Sequence, residues 1–435
     1  MSPSSIAYLA TLSLSLSTLG CKRDDVPVPG PRVAPLTPAP APAPPPASPA
    51  PSWYRAVVAS PDGVEADFFL SVPAANTAGQ AIFKVGGHEV RSDATFDHGT
   101  LVIPMAVHQT RVDATAAPDG SLHGTFSTSW RAFGSSKLPL TATPVAAPTP
   151  ALLATVPGAG AALDLGEPRT IWRVAMKESG AAKLVVSESA PGEFEGQLFL
   201  DTGNIIYVAG NGRGDAAVLT GFDGTSGYRL DLTLDADRKH ARGMLAGGSH
   251  FEWREAFTAA RGPDYVYEAK PRASKPGVKV GLPDVPELAS LPPGPMIVEI
   301  GGSWCSTCAN AAPFMVELYR AYEARGLHMV TLLYEFTDDQ AADAKQAAVF
   351  KKSYGVTWPV VAVPGKLEDF NDIMPTGLTD LNPAGFPITL FLDANRSLVA
   401  IHAGFPARSA TVEFTRVSAE YRATVEKLLA SSPQH

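Results

Sequence analysis

From residue 52 to about 268, apolar and polar side chains alternate in short runs punctuated by Gly, Asp and Asn. A strand points successive side chains to opposite faces, so a period of two commits each run to a sheet with one buried face. The clearest run is Arg229-Leu230-Asp231-Leu232-Thr233-Leu234-Asp235, with three leucines on one side and polar groups on the other. Turn residues follow each run closely, which predicts antiparallel hairpins. A second segment has the same texture. Arg111-Val112-Asp113-Ala114-Thr115 leads through Pro118-Asp119-Gly120 to Gly124-Thr125-Phe126, as Arg229 to Thr233 leads through Asp235-Ala236-Asp237 to Gly243-Met244-Leu245. The expected fold class is therefore mixed, beginning with a mostly antiparallel β region of one or two sandwich-like or barrel-like units. Two related units, 52–145 and 158–268, are expected, with a Pro, Ala and Thr-rich stretch at 142–157 between them.

The chain has 435 residues, enough for two or three domains at about 150 residues each. Lys and Arg number 35 against 43 Asp and Glu, a net charge of −8. That balance excludes a binder of nucleic acid or anionic membrane, which needs a basic surface. Three cysteines cannot build a disulfide framework. Many of the 40 prolines fall between Val26 and Pro51. Proline lacks the N–H and fixes φ, so residues 22–51 read as an extended, semi-rigid linker. No run of 18 or more apolar residues exists to form a transmembrane helix. Ile6 to Leu19 is apolar but broken by Ser and Thr, and fits the core of a secretory signal. It ends Ser17-Thr18-Leu19-Gly20-Cys21, which resembles a bacterial lipoprotein signal. The resemblance implies that residues 1–21 are a signal segment and that Cys21 is acylated. The protein would then be held at a membrane by a lipid anchor without spanning it. Lys22 stands where enteric bacteria carry a retention aspartate, which favours the outer membrane and leaves the inner membrane open.

The β region offers no readable chemistry. Gly210-Asn211-Gly212-Arg213-Gly214-Asp215 is glycine-rich, but it lies between strand-like runs and opens no helix, so it reads as a hairpin turn and not a phosphate cradle. Asp231, Asp235 and Asp237 lack the glycine and terminal glutamate of a calcium loop. His88, His98, His108, His123, His240 and His250 are scattered without metal-ligand spacing, so surface or core placement is the default. No metal and no cofactor is expected.

From about Lys279 the texture changes to alternating strand and helix signals. A buried-strand run, Pro295 to Ile300, leads through Gly301-Gly302-Ser303-Trp304 into Cys305-Ser306-Thr307-Cys308 and then a helix with Phe314, Leu318 and Tyr322 on one stripe. Strand Met329 to Glu335, helix Asp339 to Tyr354, strand Trp358 to Val363, a loop with Leu367 to Met374, strands Ile388 to Asp393 and Ser397 to His402, and helix Thr411 to Leu429 complete the order. Cys-x-x-Cys can be half of a zinc site, but no second Cys pair or spaced His pair supplies four ligands. Redox use is favoured. At a strand-to-helix junction Cys305 faces the helix N-terminus, whose free N–H groups stabilise a thiolate, and Cys308 lies one turn on.

With these motifs residues 277–430 resemble the thioredoxin superfamily, and more narrowly the TlpA-like, membrane-tethered thiol-disulfide oxidoreductases. The resemblance implies a C-terminal α/β thioredoxin-like domain with Cys305 as nucleophile and Cys308 as resolving cysteine. It implies that Trp304 belongs to the motif, that Glu299 relays protons to and from Cys308, and that Pro313 kinks the active-site helix. Gly385-Phe386-Pro387 resembles the family's cis-proline strand, which implies a cis bond at Pro387 and a Phe386 backbone that binds an extended substrate. Phe386 replaces the small or β-branched residue common there, and Ser306-Thr307 is none of the best-known intervening pairs. The expectation is a bacterial cell-envelope, periplasm-facing enzyme that reduces protein disulfides and draws electrons from an upstream donor. The alternatives are a peroxiredoxin-like thiol peroxidase, for which Glu299 to Cys305 lacks the required motif, and a non-enzymatic lipoprotein that binds an envelope ligand through its β region.

Overall fold

The computed structural model describes residues 52–130, 134–154, 156, 160–267, 276–289, 291–378 and 385–431. The signal segment, Cys21 and the proline-rich linker lie outside the described residues.

Eight strands, β1 (Ser52–Ala59) through β8 (Gly134–Val145), hydrogen-bond in chain order, and β1 pairs back onto β8 to close a barrel. A second closed barrel runs from β9 (Arg169–Met176) to β16 (Trp253–Gly262), which pairs with β9. Closure satisfies every strand edge and explains how so many short strands avoid exposing unpaired backbone. The β units thus take the barrel form rather than the sandwich form.

The two matching sequence segments are the sixth and seventh strands of their barrels: Thr110–Ala116 with Leu122–Trp130, and Gly227–Leu234 with His240–Gly248. Their shared residues have shared reasons. Arg111 pairs with Asp113 at 2.7 Å and Arg229 with Asp231 at 2.9 Å, each two residues apart on one face. A Cβ on Gly124 would lie 1.9 Å from the Asp113 carbonyl oxygen, and one on Gly243 2.1 Å from that of Asp231, so only glycine fits either position.

Side chains fill both barrels. Phe68, Phe83 and Phe126 pack inside the first, and Phe222 of the second stacks on Phe68 at 4.4 Å, joining the two cores. The apolar interior of the second barrel leaves a void of about 20 Å³, too small to hold an envelope ligand.

The C-terminal region is a five-stranded sheet in the order β19-β18-β17-β20-β21. These strands are β17 (Met296–Gly301), β18 (His328–Leu333), β19 (Val360–Ala362), β20 (Ile388–Leu392) and β21 (Leu398–Ala403). β17, β18 and β19 are parallel, whereas β20 runs antiparallel to both β17 and β21. Parallel βαβ units come first and a hairpin with a helix last, the order expected of a thioredoxin-like domain. Among the described residues five α-helices accompany the sheet: α1 (Pro286–Ala289), α2 (Ser306–Tyr322), α3 (Gln340–Tyr354), α4 (Phe370–Ile373) and α5 (Thr411–Ala430). Phe314 and Leu318 of α2 and Tyr421 and Val425 of α5 share one buried cluster with Ile297 and Phe391 of the sheet. Some details differ from the sequence reading, among them the strand expected over Trp358 to Val363, which is only Val360–Ala362. β18 ends at Leu333, leaving Glu335 beyond the sheet, and the loop around residue 370 contains a helical turn. The second barrel is tied to α5 by Lys183, 1% exposed, whose ammonium bonds the Glu413 carboxylate at 2.5 Å and the Tyr265 carbonyl at 2.8 Å.

Candidate active site

All six residues of β17 are buried, and the chain leaves the strand at Gly301 to reach the cysteine motif. A Cβ on Gly301 would lie 2.9 Å from the Cys308 sulfur, so the missing side chain lets the helix settle against the strand. Cys305 is the N-cap of α2 and accepts the Cys308 N–H on its Sγ at 3.0 Å. Cys305 and Cys308 are joined as a disulfide with Cα atoms 5.2 Å apart. After reduction the same N–H, together with the helix dipole, favours the Cys305 thiolate. Both sulfurs are shielded, Cys305 being 7% and Cys308 2% exposed. Pro313 lies inside α2.

Trp304 donates its indole N–H to the Tyr334 carbonyl at 3.0 Å, and its ring lies 5.9 Å from that of Phe386. The Phe386–Pro387 peptide bond is cis. Phe386 is only 2% exposed, because its ring also packs among Tyr334 and Phe336.

Glu299 is 2% exposed. Residues two apart on a strand share a face, so Glu299 projects to the side on which Gly301 meets Cys308. Its Oε2 accepts the Thr331 hydroxyl at 3.0 Å, and that hydroxyl oxygen accepts the Trp358 indole N–H at 2.9 Å. Its Oε1 has no hydrogen-bond partner among the described residues. Burial pushes this carboxyl up to about 7, and the Thr331 hydrogen bond opposes only part of that.

A second buried acid is absent from the sequence reading. Glu335 accepts the Ser303 N–H at 2.9 Å on one oxygen, and the Ser303 hydroxyl at 2.9 Å and the Gln109 amide at 3.2 Å on the other. Burial raises it too to about 7, with Asp343 adding to the rise. His108, by default a surface or core residue, is buried and donates from Nδ1 to the Ser303 carbonyl at 3.0 Å. The first barrel therefore grips the loop two residues ahead of Cys305. Glu335 follows an apolar run as Glu299 does, but it stands at the end of the expected strand rather than inside it, so its signal is the weaker one. Nothing local points to Gln109 or His108, more than 190 residues away in sequence.

The second barrel reaches the motif as well. Between β11 (Glu193–Leu200) and β12 (Ile205–Arg213), the turn Asp201-Thr202-Gly203-Asn204 lies on the proline loop. The Thr307 hydroxyl donates to the Asn204 Oδ1 at 2.7 Å. A Cβ on Gly385 would be 2.5 Å from the Thr202 carbonyl oxygen, and one on Gly404 2.0 Å from that of Gly203. The approach beside Phe386, where an extended substrate is expected, is thus bordered by the protein's own backbone.

Among the described residues no helix is long and apolar enough to cross a membrane, and no group of His, Cys, Asp and Glu is arranged to hold a metal ion.

No family model matches the chain. Over 102 residues, 23% of its length, it is 30% identical to the thiol-disulfide oxidoreductase ResA of Bacillus subtilis (strain 168). The match spans 53% of that protein, so the chain covers about half the length of its curated relative. Similar solved structures include a putative thiol:disulfide interchange protein DsbE from Chlorobium tepidum, at 17% identity and a TM-score of 0.27, covering 36% of this chain and 98% of that one. A thioredoxin-family thiol:disulfide interchange protein from Chlorobium tepidum TLS matches at 22% identity and a TM-score of 0.26, over 36% and 97%. A secreted Mycobacterium tuberculosis disulfide oxidoreductase homologous to E. coli DsbE matches at 18% and 0.21, over 30% and 85%. Over 23% of its length, then, this chain is similar to a thiol-disulfide oxidoreductase.

Proposed function

We propose that this protein is a cell-envelope thiol-disulfide oxidoreductase working in the reducing direction, exported and tethered through Cys21. The observation that carries the reading is Cys305 capping α2 in a disulfide with Cys308, with a buried acid on the adjoining strand face. In the reduced protein the Cys305 thiolate attacks one sulfur of a substrate disulfide. A new S–S bond forms to Cys305, the substrate S–S bond breaks, and the departing thiolate takes up a proton. Cys308 then loses its proton to Glu299 and attacks the Cys305 sulfur, releasing the second substrate thiol. Two electrons have moved, the substrate is reduced to two thiols and the protein is left as the disulfide. A dithiol donor upstream, reacting in the reverse sense, restores it. Glu299 suits the proton step because its carboxyl titrates near neutrality, so it can both accept and return a proton.

The test is a pair of substitutions. Cys305→Ser abolishes disulfide reduction, and Cys308→Ser accumulates a covalent mixed disulfide through Cys305, seen as a mass increase that dithiothreitol reverses. Full activity in Cys305→Ser refutes the mechanism.

A further inference from the structure

Residues of both barrels wall the space at Cys305. One wall is the turn at residues 202–204, joined to Thr307 through Asn204 and in backbone contact with the proline loop. A second wall is the turn between β13 (Ala216–Phe222) and β14 (Gly227–Leu234). Asp223 organises that turn, accepting on one oxygen from the Thr225 N–H at 2.9 Å, the Thr225 hydroxyl at 2.6 Å and the Ser226 N–H at 2.8 Å, and on the other from the Tyr228 hydroxyl at 3.0 Å. Each hydrogen bond to a charged carboxylate is strong, so this wall is held in place and not merely leaning over the site. Trp130 of the first barrel contributes a third wall. The Thr110 hydroxyl donates to the Gly224 carbonyl at 2.7 Å, locking the first barrel to the second wall.

The space left at Cys305 is a pocket of about 130 Å³. Drug-sized ligands occupy pockets of about 300 Å³ or more, so only the sulfur end of a small molecule fits inside, and a disulfide lying flat on the surface of a folded protein has no sulfur projecting far enough to reach a cysteine that is 7% exposed. None of the described residues lining the pocket carries a charged side chain. Trp130, Tyr228, Trp304 and Phe386 supply aromatic surface, and Asn204 and Thr225 supply uncharged polar atoms. A larger groove of about 630 Å³ beside the first barrel touches the motif at Ser306 and not at either cysteine.

From these walls and the small space between them we infer that the barrels make Cys305 a site for low-molecular-weight disulfides whose carbons next to sulfur are uncharged and unbranched, and that they exclude disulfides carried on the surface of folded proteins. The inference rests on the thiol-disulfide reading and puts low-molecular-weight disulfides in place of the protein disulfides that the family resemblance implies. The chemistry is that of the preceding subsection, with two small thiols as products.

The experiment uses the fully reduced whole chain in single turnovers with hydroxyethyl disulfide or insulin. Each rate is normalised to that of dithiothreitol with the same disulfide. The normalised rate for hydroxyethyl disulfide is expected to exceed that for insulin by about tenfold or more. Asn204→Gly combined with Tyr228→Ala removes two walls and is expected to raise the insulin rate selectively, moving the ratio toward one. Equal normalised rates in the wild-type chain overturn the inference and leave the thiol-disulfide reading standing. An unchanged ratio in a folded double variant also overturns it. No reaction with either disulfide, or undiminished reaction in Cys305→Ser, overturns the reading and the inference together. The wild-type comparison decides the matter even where the double variant does not fold.

Discussion

Replacing Glu299 by glutamine keeps the shape of the side chain and removes its charge, which isolates the energetic consequence of burying an acid at the site. The wild-type carboxyl titrates at about 7 in the folded protein against 4.5 for an ordinary glutamate. That difference corresponds to about 3 kcal/mol. The native state binds its proton more tightly than the unfolded chain, so between these two values the native state holds more protons. Stability therefore falls as pH rises from 4.5 through about 7, and above that the full penalty applies. The amide of the Glu299→Gln variant cannot ionise and carries no such penalty. Relative to wild type, the variant is expected to gain about 3 kcal/mol on going from about pH 4 to about pH 8. Taking the difference between the two pH values cancels whatever the amide costs in packing or in its hydrogen bond from Thr331. Urea unfolding of both oxidised proteins at the two pH values, followed by tryptophan fluorescence, measures it. A pH-dependent difference below about 1 kcal/mol refutes a carboxyl held neutral by burial. The same variant lacks a proton acceptor for Cys308, so decay of the mixed disulfide is expected to slow by about 100-fold, within the usual range for a lost general base. Unchanged decay refutes the relay while leaving the burial argument intact.

Gly301→Ala places a methyl group 2.9 Å from the Cys308 sulfur. Overpacking of this kind costs about 1–3 kcal/mol, and here it also displaces the resolving cysteine. Lower thermal stability with slower ring closure is expected, and wild-type values in both assays contradict the close-approach argument. A reductant should hold its Cys305/Cys308 couple at a potential near thioredoxin's, about −270 mV, and an oxidant near −120 mV. Equilibration with glutathione and dithiothreitol buffers, with thiol alkylation as the readout, distinguishes the two directions.

Much of the fold is readable because its signals are local. The leucines of Arg229 to Asp235 alternate within one strand, and the cysteine motif stands between an apolar run and a helical stripe. Glu299 is conspicuous as an acid inside an apolar strand. Its partners are not, because Thr331 lies 32 residues away and becomes a neighbour only through parallel pairing of β17 with β18. Glu335 is inconspicuous because the sequence places it at the end of a strand, where a carboxylate is unremarkable. In the structure the strand stops at Leu333, and the chain turns inward to Ser303. The barrel form is open in the sequence for a related reason. Alternation fixes which face of each strand is buried, but both a sandwich and a barrel satisfy it, and only the pairing of β1 with β8 and of β9 with β16 decides between them.

The sequence by itself determined a local pattern: a cysteine pair at a strand-to-helix junction and an acid in the strand before it. Each is written in a handful of consecutive residues, where backbone geometry dictates the neighbours. Tertiary structure alone decided what can approach that pair. Asn204 sits 103 residues from Thr307 and Gln109 226 residues from Glu335. Such contacts arise from how closed barrels pack against a sheet, and a long-range packing surface leaves no periodic trace along the chain.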